Sequence, residues 1–144
     1  MSEQHETPLI LRVKEIPVID RGAGVKTTPL VGKWNTPGHS LTTGMTRFEP
    51  GTAIPLHTHN VEETVMLLEG SATVVVGDQS YELEAGEVTW VPADVPHYFK
   101  NRGPGLMRIY WVYLGQEVTR TIIATGETFE HLSEADRNLA TKPE

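Results

Sequence analysis

Between residues 41 and 114 the sequence is cut into short β-prone runs, most of them closed by a glycine, a proline or a turn dipeptide. The runs are residues 41–49, 64–69, 72–76, 80–83, 88–91, 97–100 and 107–114. Punctuation recurring about every 8 to 12 residues indicates an all-β barrel or sandwich. Pro50-Gly51 ends the first run, and Gly77-Asp78 places glycine first, as one type of two-residue hairpin requires.

The flanks are less regular. Residues 9–13 and 17–19 read as edge strands, interrupted by Pro17, which cannot donate to a ladder. Residues 22–38 are rich in glycine and proline with one aromatic anchor, Trp34. Beyond Gly115 the chain turns polar, and Ser133 before Glu134-Ala135-Asp136-Arg137 has the form of an N-capped short helix. The expected organisation is one domain, with an arm over residues 1–40, a barrel core over 41–115 and a final strand with a helical tail over 116–144. Residues 128–144 are expected on the surface or at a dimer contact. Val65-Met66-Leu67-Leu68 and Val74-Val75-Val76 are apolar on both faces, so the outer face should be covered too, and a homodimer would cover it.

Composition narrows the chemistry. There is no cysteine, so disulfides, thiolate metal sites and a cysteine nucleophile are excluded. A net charge of -7 argues against a nucleic-acid partner. No apolar run approaches the roughly 18 residues of a membrane span, and MSEQHETP has no signal-peptide character, which makes a cytoplasmic protein the expectation. No serine-triad logic, phosphate loop or dinucleotide fingerprint is present.

What remains is histidine. His57 and His59 lie one residue apart, so in a strand they share a face, their Cα atoms roughly 6 to 7 Å apart. Glu63 on the same straight strand would lie roughly 13 Å beyond His59, out of reach. A turn at Asn60 through Glu62 would return it beside the histidines. Two imidazoles and a carboxylate form a mixed nitrogen and oxygen set suited to first-row divalent ions. A second stretch, GEVTWVPADVPHYFKN over residues 86–101, adds His97 after a proline-rich turn.

Together these stretches resemble the paired motifs of the cupin superfamily. Gly51, His57, His59, Glu63 and Gly70 stand at every fixed position of the first motif, and Gly86, Pro92, His97 and Asn101 follow the second. Asp94 stands where glycine is usual, a mild departure because aspartate tolerates a left-handed turn. The 15 residues between Gly70 and Gly86 match the compact bacterial type. The resemblance implies a small single-domain protein with a double-stranded β-helix, the cupin jelly-roll barrel. It also implies one divalent transition metal ion per subunit, Fe, Mn, Ni or Zn, on His57, His59, Glu63 and His97.

The implied function is a mononuclear metalloenzyme acting on a small oxygen-chelating substrate, by dioxygenase, isomerase, lyase or decarboxylase chemistry. The alternatives are a metal- or ligand-binding module without turnover and a purely structural barrel. Glu62, Arg108 and Tyr110 are the catalytic candidates, and Phe99, Trp90 and Arg47 the pocket candidates. Trp90, Tyr98, Phe99, Tyr110 and Trp111 read first as core, with Phe99 also the pocket wall by sharing a face with His97. Arg47, Lys100 and Arg108 could clamp an anionic substrate, Arg108 foremost because it sits within an apolar run. His5, His39 and His131 lie in polar segments and are expected on the surface.

Overall fold

The computed structural model describes residues 7–141. It is nearly all β. The strands are β1 (Ile19–Asp20), β2 (Val25–Pro29), β3 (Thr42–Phe48), β4 (His57–His59), β5 (Glu63–Glu69) and β6 (Ser71–Val76). They continue as β7 (Gln79–Glu84), β8 (Val88–Val91), β9 (His97–Asn101), β10 (Met107–Tyr113), β11 (Thr119–Ile122) and β12 (Thr128–Glu130), followed by one helical turn, α1 (Glu134–Arg137).

Two antiparallel sheets face each other, ordered β1-β2-β3-β10-β5-β8 and β12-β11-β4-β9-β6-β7. The chain crosses between them after β3, β4, β5, β7, β8, β9 and β10, which winds it as a double-stranded β-helix. Strand alternation fills the interior. On β10, Met107, Ile109, Trp111 and Tyr113 point inward and are buried, while Arg108, Tyr110 and Val112 face out. Val25, Phe48, Val65, Leu67, Val74 and Phe99 complete most of the apolar core. Each large side chain there contributes about 1.5 to 3 kcal/mol by leaving water.

Two glycines permit close approaches. Gly70 turns β5 into β6 at φ +88°, and a Cβ there would lie 2.3 Å from the Leu106 carbonyl oxygen. Gly44 sits directly across from Trp111, and its Cβ would meet that ring at 2.3 Å. Gly44→Ala should therefore displace the Trp111 ring, at about 1 to 3 kcal/mol. Unchanged near-UV circular dichroism and an unchanged denaturation midpoint would refute this.

The termini depart from expectation. Residues 9–12 join no strand, Val13–Glu15 form a single 3-10 turn, and only Ile19 and Asp20 of this segment join the sheet. Pro8 and Pro17 bracket that segment, and each lacks the N–H a ladder requires. Trp34 anchors no core: it is 48 % exposed and donates from Nε1 to the Leu30 carbonyl. Nor does the C-terminal segment lie free on the surface. Ser133 caps α1, its hydroxyl accepting from Asp136 N–H at 3.4 Å, but Asp136 itself is fully buried.

Asp136 joins the chain ends to the barrel. Its Oδ1 accepts from Arg120 Nη1 at 2.7 Å, and its Oδ2 from the same nitrogen at 2.8 Å, Arg21 Nη2 at 3.3 Å and Leu132 N–H at 2.8 Å. Arg21 Nη1 also donates to Thr27 Oγ1 at 3.0 Å, which bonds Thr46 Oγ1 at 3.0 Å, which in turn accepts from Trp111 Nε1 at 2.9 Å. A continuous polar chain thus runs from α1 through the first sheet to the barrel interior.

Outside, Met66, Leu68, Val88, Trp90 and Tyr110 are all at least one third exposed. Met45, Tyr110, Met66 and Val88 stand opposite one another across β3, β10, β5 and β8. No helix among the described residues is long and apolar enough to cross a membrane.

Candidate metal centre

β4 is three residues long, and its pattern buries His57 and His59 while leaving Thr58 between them facing away. His57 is directly opposite His97 on β9. Asn60 secures the turn that follows: its Nδ2 donates to the Glu117 carbonyl at 2.8 Å and its Oδ1 accepts from Thr119 N–H at 2.8 Å. The chain then enters the other sheet at Glu63, whose carboxylate reaches back across the interior. Asp94 adopts the left-handed conformation at φ 66° and donates its N–H to the His59 carbonyl at 2.8 Å, placing His97 at the start of β9.

One potential ligand nitrogen from each of the three histidines lies within 4.8 Å of the others. Glu63 Oε1 is 3.0 Å from His97 Nε2 and 3.7 Å from His59 Nε2. Each imidazole donates from Nδ1 to a main-chain carbonyl: His57 to Pro55 at 2.6 Å, His59 to Thr119 at 3.0 Å, His97 to Val95 at 2.8 Å. Those bonds fix the tautomer and ring orientation, which leaves Nε2 as the coordinating atom.

Two atoms are orphaned by this arrangement, His59 Nε2 and Glu63 Oε2, both buried without a partner. Such groups are costly unless something satisfies them. A divalent cation held by the three histidines with Glu63 beside them would satisfy such groups, so the donor set fits a metal.

Electrostatics favours the ligand form. Burial, then the nearby Arg120 charge, holds His57 and His59 well below the ordinary imidazole range, so both are neutral at neutral pH. Burial opposes protonation of His97 also, but the Glu63 carboxylate outweighs it and raises the group. In metal-free protein His97 is therefore the imidazole of the cluster that takes up a proton most readily.

A pH dependence follows. His131 is depressed like His57 and His59, again first by burial. These three bind protons more readily unfolded than folded, so stability falls as pH drops below about 6.5. The loss continues until their low folded values are reached, at up to about 4 kcal/mol per pH unit for the three together. His97 acts oppositely: its contribution is present below about 6.5 and fades as pH rises through its raised folded value. Thermal unfolding of metal-free protein from pH 7 to pH 5 should show a steep fall in midpoint; a flat profile would contradict the burial of the three rings.

The other candidates are scattered. Arg47, Arg108 and Tyr110 project from the outer face because they are out of phase with the inward residues of β3 and β10. Arg108 is not costly there, since it lies in water beside Glu69 at 3.7 Å. Trp90 is 62 % exposed, and its Nε1 donates to Glu62 Oε1 at 2.8 Å, which places both on the outside. Lys100 and His39 are exposed, Tyr98 is half-buried, and His5 lies outside the described residues. Phe99 lies in the same cavity as the cluster.

Among the lining residues that sequence reading missed are Arg21, Tyr113, Arg120 and His131. His131 is no surface residue. Its ring stands edge-on to Trp111 and Tyr113, centroids 5.2 and 5.0 Å away, and 6.2 Å from His59. The available signal was the alternation of Val118, Arg120 and Ile122, which puts Arg120 in phase with two buried residues and makes β11 an inward-facing strand. The cavity itself is about 40 Å³.

Residues 44–113 match the family described as Cupin domain. That segment is a cupin domain. The chain is 28 % identical over 108 residues to the HTH-type transcriptional regulator PuuR of Escherichia coli (strain K12), a match covering 74 % of this chain and 57 % of the regulator. The chain thus spans little more than half the length of that relative. Among solved structures it is similar to a predicted oxalate decarboxylase from Thermotoga maritima, with TM-score 0.65 and 21 % identity over 74 % of this chain and 99 % of the other. An RmlC-like cupin from Shewanella frigidimarina gives TM-score 0.66 and 22 % identity, covering 77 % and 95 % of the two chains. At such identities these likenesses establish the fold.

Proposed function

We propose that this cupin is a mononuclear metal-dependent enzyme acting on a small, oxygen-bearing organic substrate. His57, His59, Glu63 and His97 would hold one Fe, Mn, Ni or Zn ion. The observation that carries the reading is the cluster of histidine nitrogens beside the Glu63 carboxylate, with every Nδ1 committed to a carbonyl and with His59 Nε2 and Glu63 Oε2 buried without partners. When bound, the ion would supply Lewis-acid chemistry or, if redox-active and with O₂, dioxygenation.

The protein's own groups would do the rest. Phe48, Phe99 and Ile109 line the cavity and limit water around the substrate. Burial raises the Tyr113 hydroxyl above its ordinary range, so it stays protonated as a donor beside His59.

The test is metal content of protein purified without added metal, paired with oxygen uptake against a panel of diketones and enediols. About one transition ion per chain with uptake supports dioxygenation. Zinc without uptake would remove dioxygenation and leave isomerase, lyase or decarboxylase chemistry, which product analysis of the same panel and of oxalate would then decide.

A second reading, a ligand-sensing module without turnover, is supported by the likeness to the regulator. It expects the same panel to bind unchanged. We also infer a homodimer through the row of half-buried Met45 and exposed Tyr110, Met66 and Val88, because contiguous apolar patches on sheets mark interaction surfaces. Sedimentation at micromolar concentration should give twice the chain mass, and Tyr110→Arg should return it to one; a monomeric parent would sink the inference. A cytoplasmic location is part of the same proposal.

A further inference from the structure

The centre described above leaves part of the cavity lining unused. Arg120 is 2 % exposed and lines that cavity. Its Nη1 is committed to both oxygens of Asp136, yet its Nε–H is buried with no partner. His131, in the same lining, has a buried Nε2 that is equally unpartnered. Both come from segments outside the two cupin motifs.

Formal charge points the same way. Among the described residues the buried side chains with formal charge are Arg21, Arg120, Glu63 and Asp136, and these cancel. A divalent ion beside Glu63 leaves the interior two charges positive, which is expensive unless an anion accompanies it. The space suits a small one: about 40 Å³ holds roughly three water-sized groups. Phe48, Ile54, Phe99 and Ile109 line the remaining wall and would meet carbon.

We propose that Arg120 and His131 form a carboxylate subsite beside the metal centre, so that the substrate is a small organic acid held at its anionic end by Arg120 Nε–H and His131 Nε2–H. This rests on the metal reading for its charge argument but not for its donors. Both residues are positioning and specificity groups. Hydrogen bonds from a charged, buried donor to a carboxylate are strong and selective against a neutral isostere.

The test uses cobalt(II)-loaded protein titrated with acetate and with acetamide at constant ionic strength, read by calorimetry and by the visible cobalt bands. Acetate should bind at least about tenfold more tightly than acetamide. Arg120→Lys keeps a cation beside Asp136 while removing Nε–H, and His131→Phe keeps the ring packing against Trp111 and Tyr113. Each should weaken acetate at least about tenfold with the cobalt content of the parent retained. If Arg120→Lys does not fold, His131→Phe decides alone. Acetate and acetamide binding alike, or acetate unaffected in the folded variants, would overturn the subsite while leaving the metal reading intact. If the parent takes up no cobalt the metal reading fails instead, and the same comparison is made by thermal shift on metal-free protein: selective stabilisation by acetate, lost in His131→Phe, upholds the subsite, and its absence overturns it.

Discussion

Asp136→Ala should lower the unfolding free energy by about 3 to 5 kcal/mol, the cost of leaving buried charges without their partner. Arg21 and Arg120 are 1 % and 2 % exposed, and Asp136 is the acid that both contact. Burial, then the proximity of Arg120, already lowers the Arg21 guanidinium to about 10, still charged at neutral pH. Removing the carboxylate leaves two like charges enclosed together and also frees the Leu132 N–H. For a chain of 144 residues this corresponds to a fall in melting temperature of about 10 to 17 °C. The effect should extend to α1 and β12, because Arg21 also donates to the Asp136 and Arg137 carbonyls. Hydrogen exchange would show these segments opening first. A loss under about 1 kcal/mol would mean that water reaches the arginines and that the network is a surface feature.

His57→Ala and His97→Ala should each lower metal affinity on the order of 100-fold or more, whereas His131→Ala should leave it near the parent value. Loss of groups that merely orient ligands commonly costs 10- to 100-fold, and loss of a ligand exceeds that. The two ligand candidates face each other across β4 and β9, and each Nδ1 is anchored, so no neighbouring imidazole can rotate in to substitute. The ring of His131 lies 6.2 Å from that of His59, and its nitrogens are not among those that gather within 4.8 Å of one another. Metal analysis after dialysis, with circular dichroism to verify folding, reads this directly. Equal loss in all three variants would place the ion elsewhere.

These two predictions concern groups of different legibility. The strand runs were visible because alternation and turn chemistry act over a few residues: residues 71–76 and 79–84 pair through the Gly77-Asp78 turn as expected. The same locality made His57 and His59 co-facial and made Asp94 readable as a left-handed turn. Arg108 shows how reading composition without phase misleads. An arginine within an apolar run suggested burial, but β10 puts Met107, Ile109 and Trp111 on the opposite face from it. Arg120, in a short and mostly polar run, is the one enclosed.

By itself, then, the sequence determined the β class, the turn positions and the motif that places His57, His59, Glu63 and His97 on strands of one barrel, because those depend on the two-residue period of a strand and on single turns. Only the tertiary structure decided which further residues reach the centre. Arg21 and Asp136 meet across 115 positions of chain, and Arg120 meets His59 through strand pairing. Such contacts depend on which strands become neighbours and in what register, and a sheet's register moves every side chain from one face to the other with a single-residue slip.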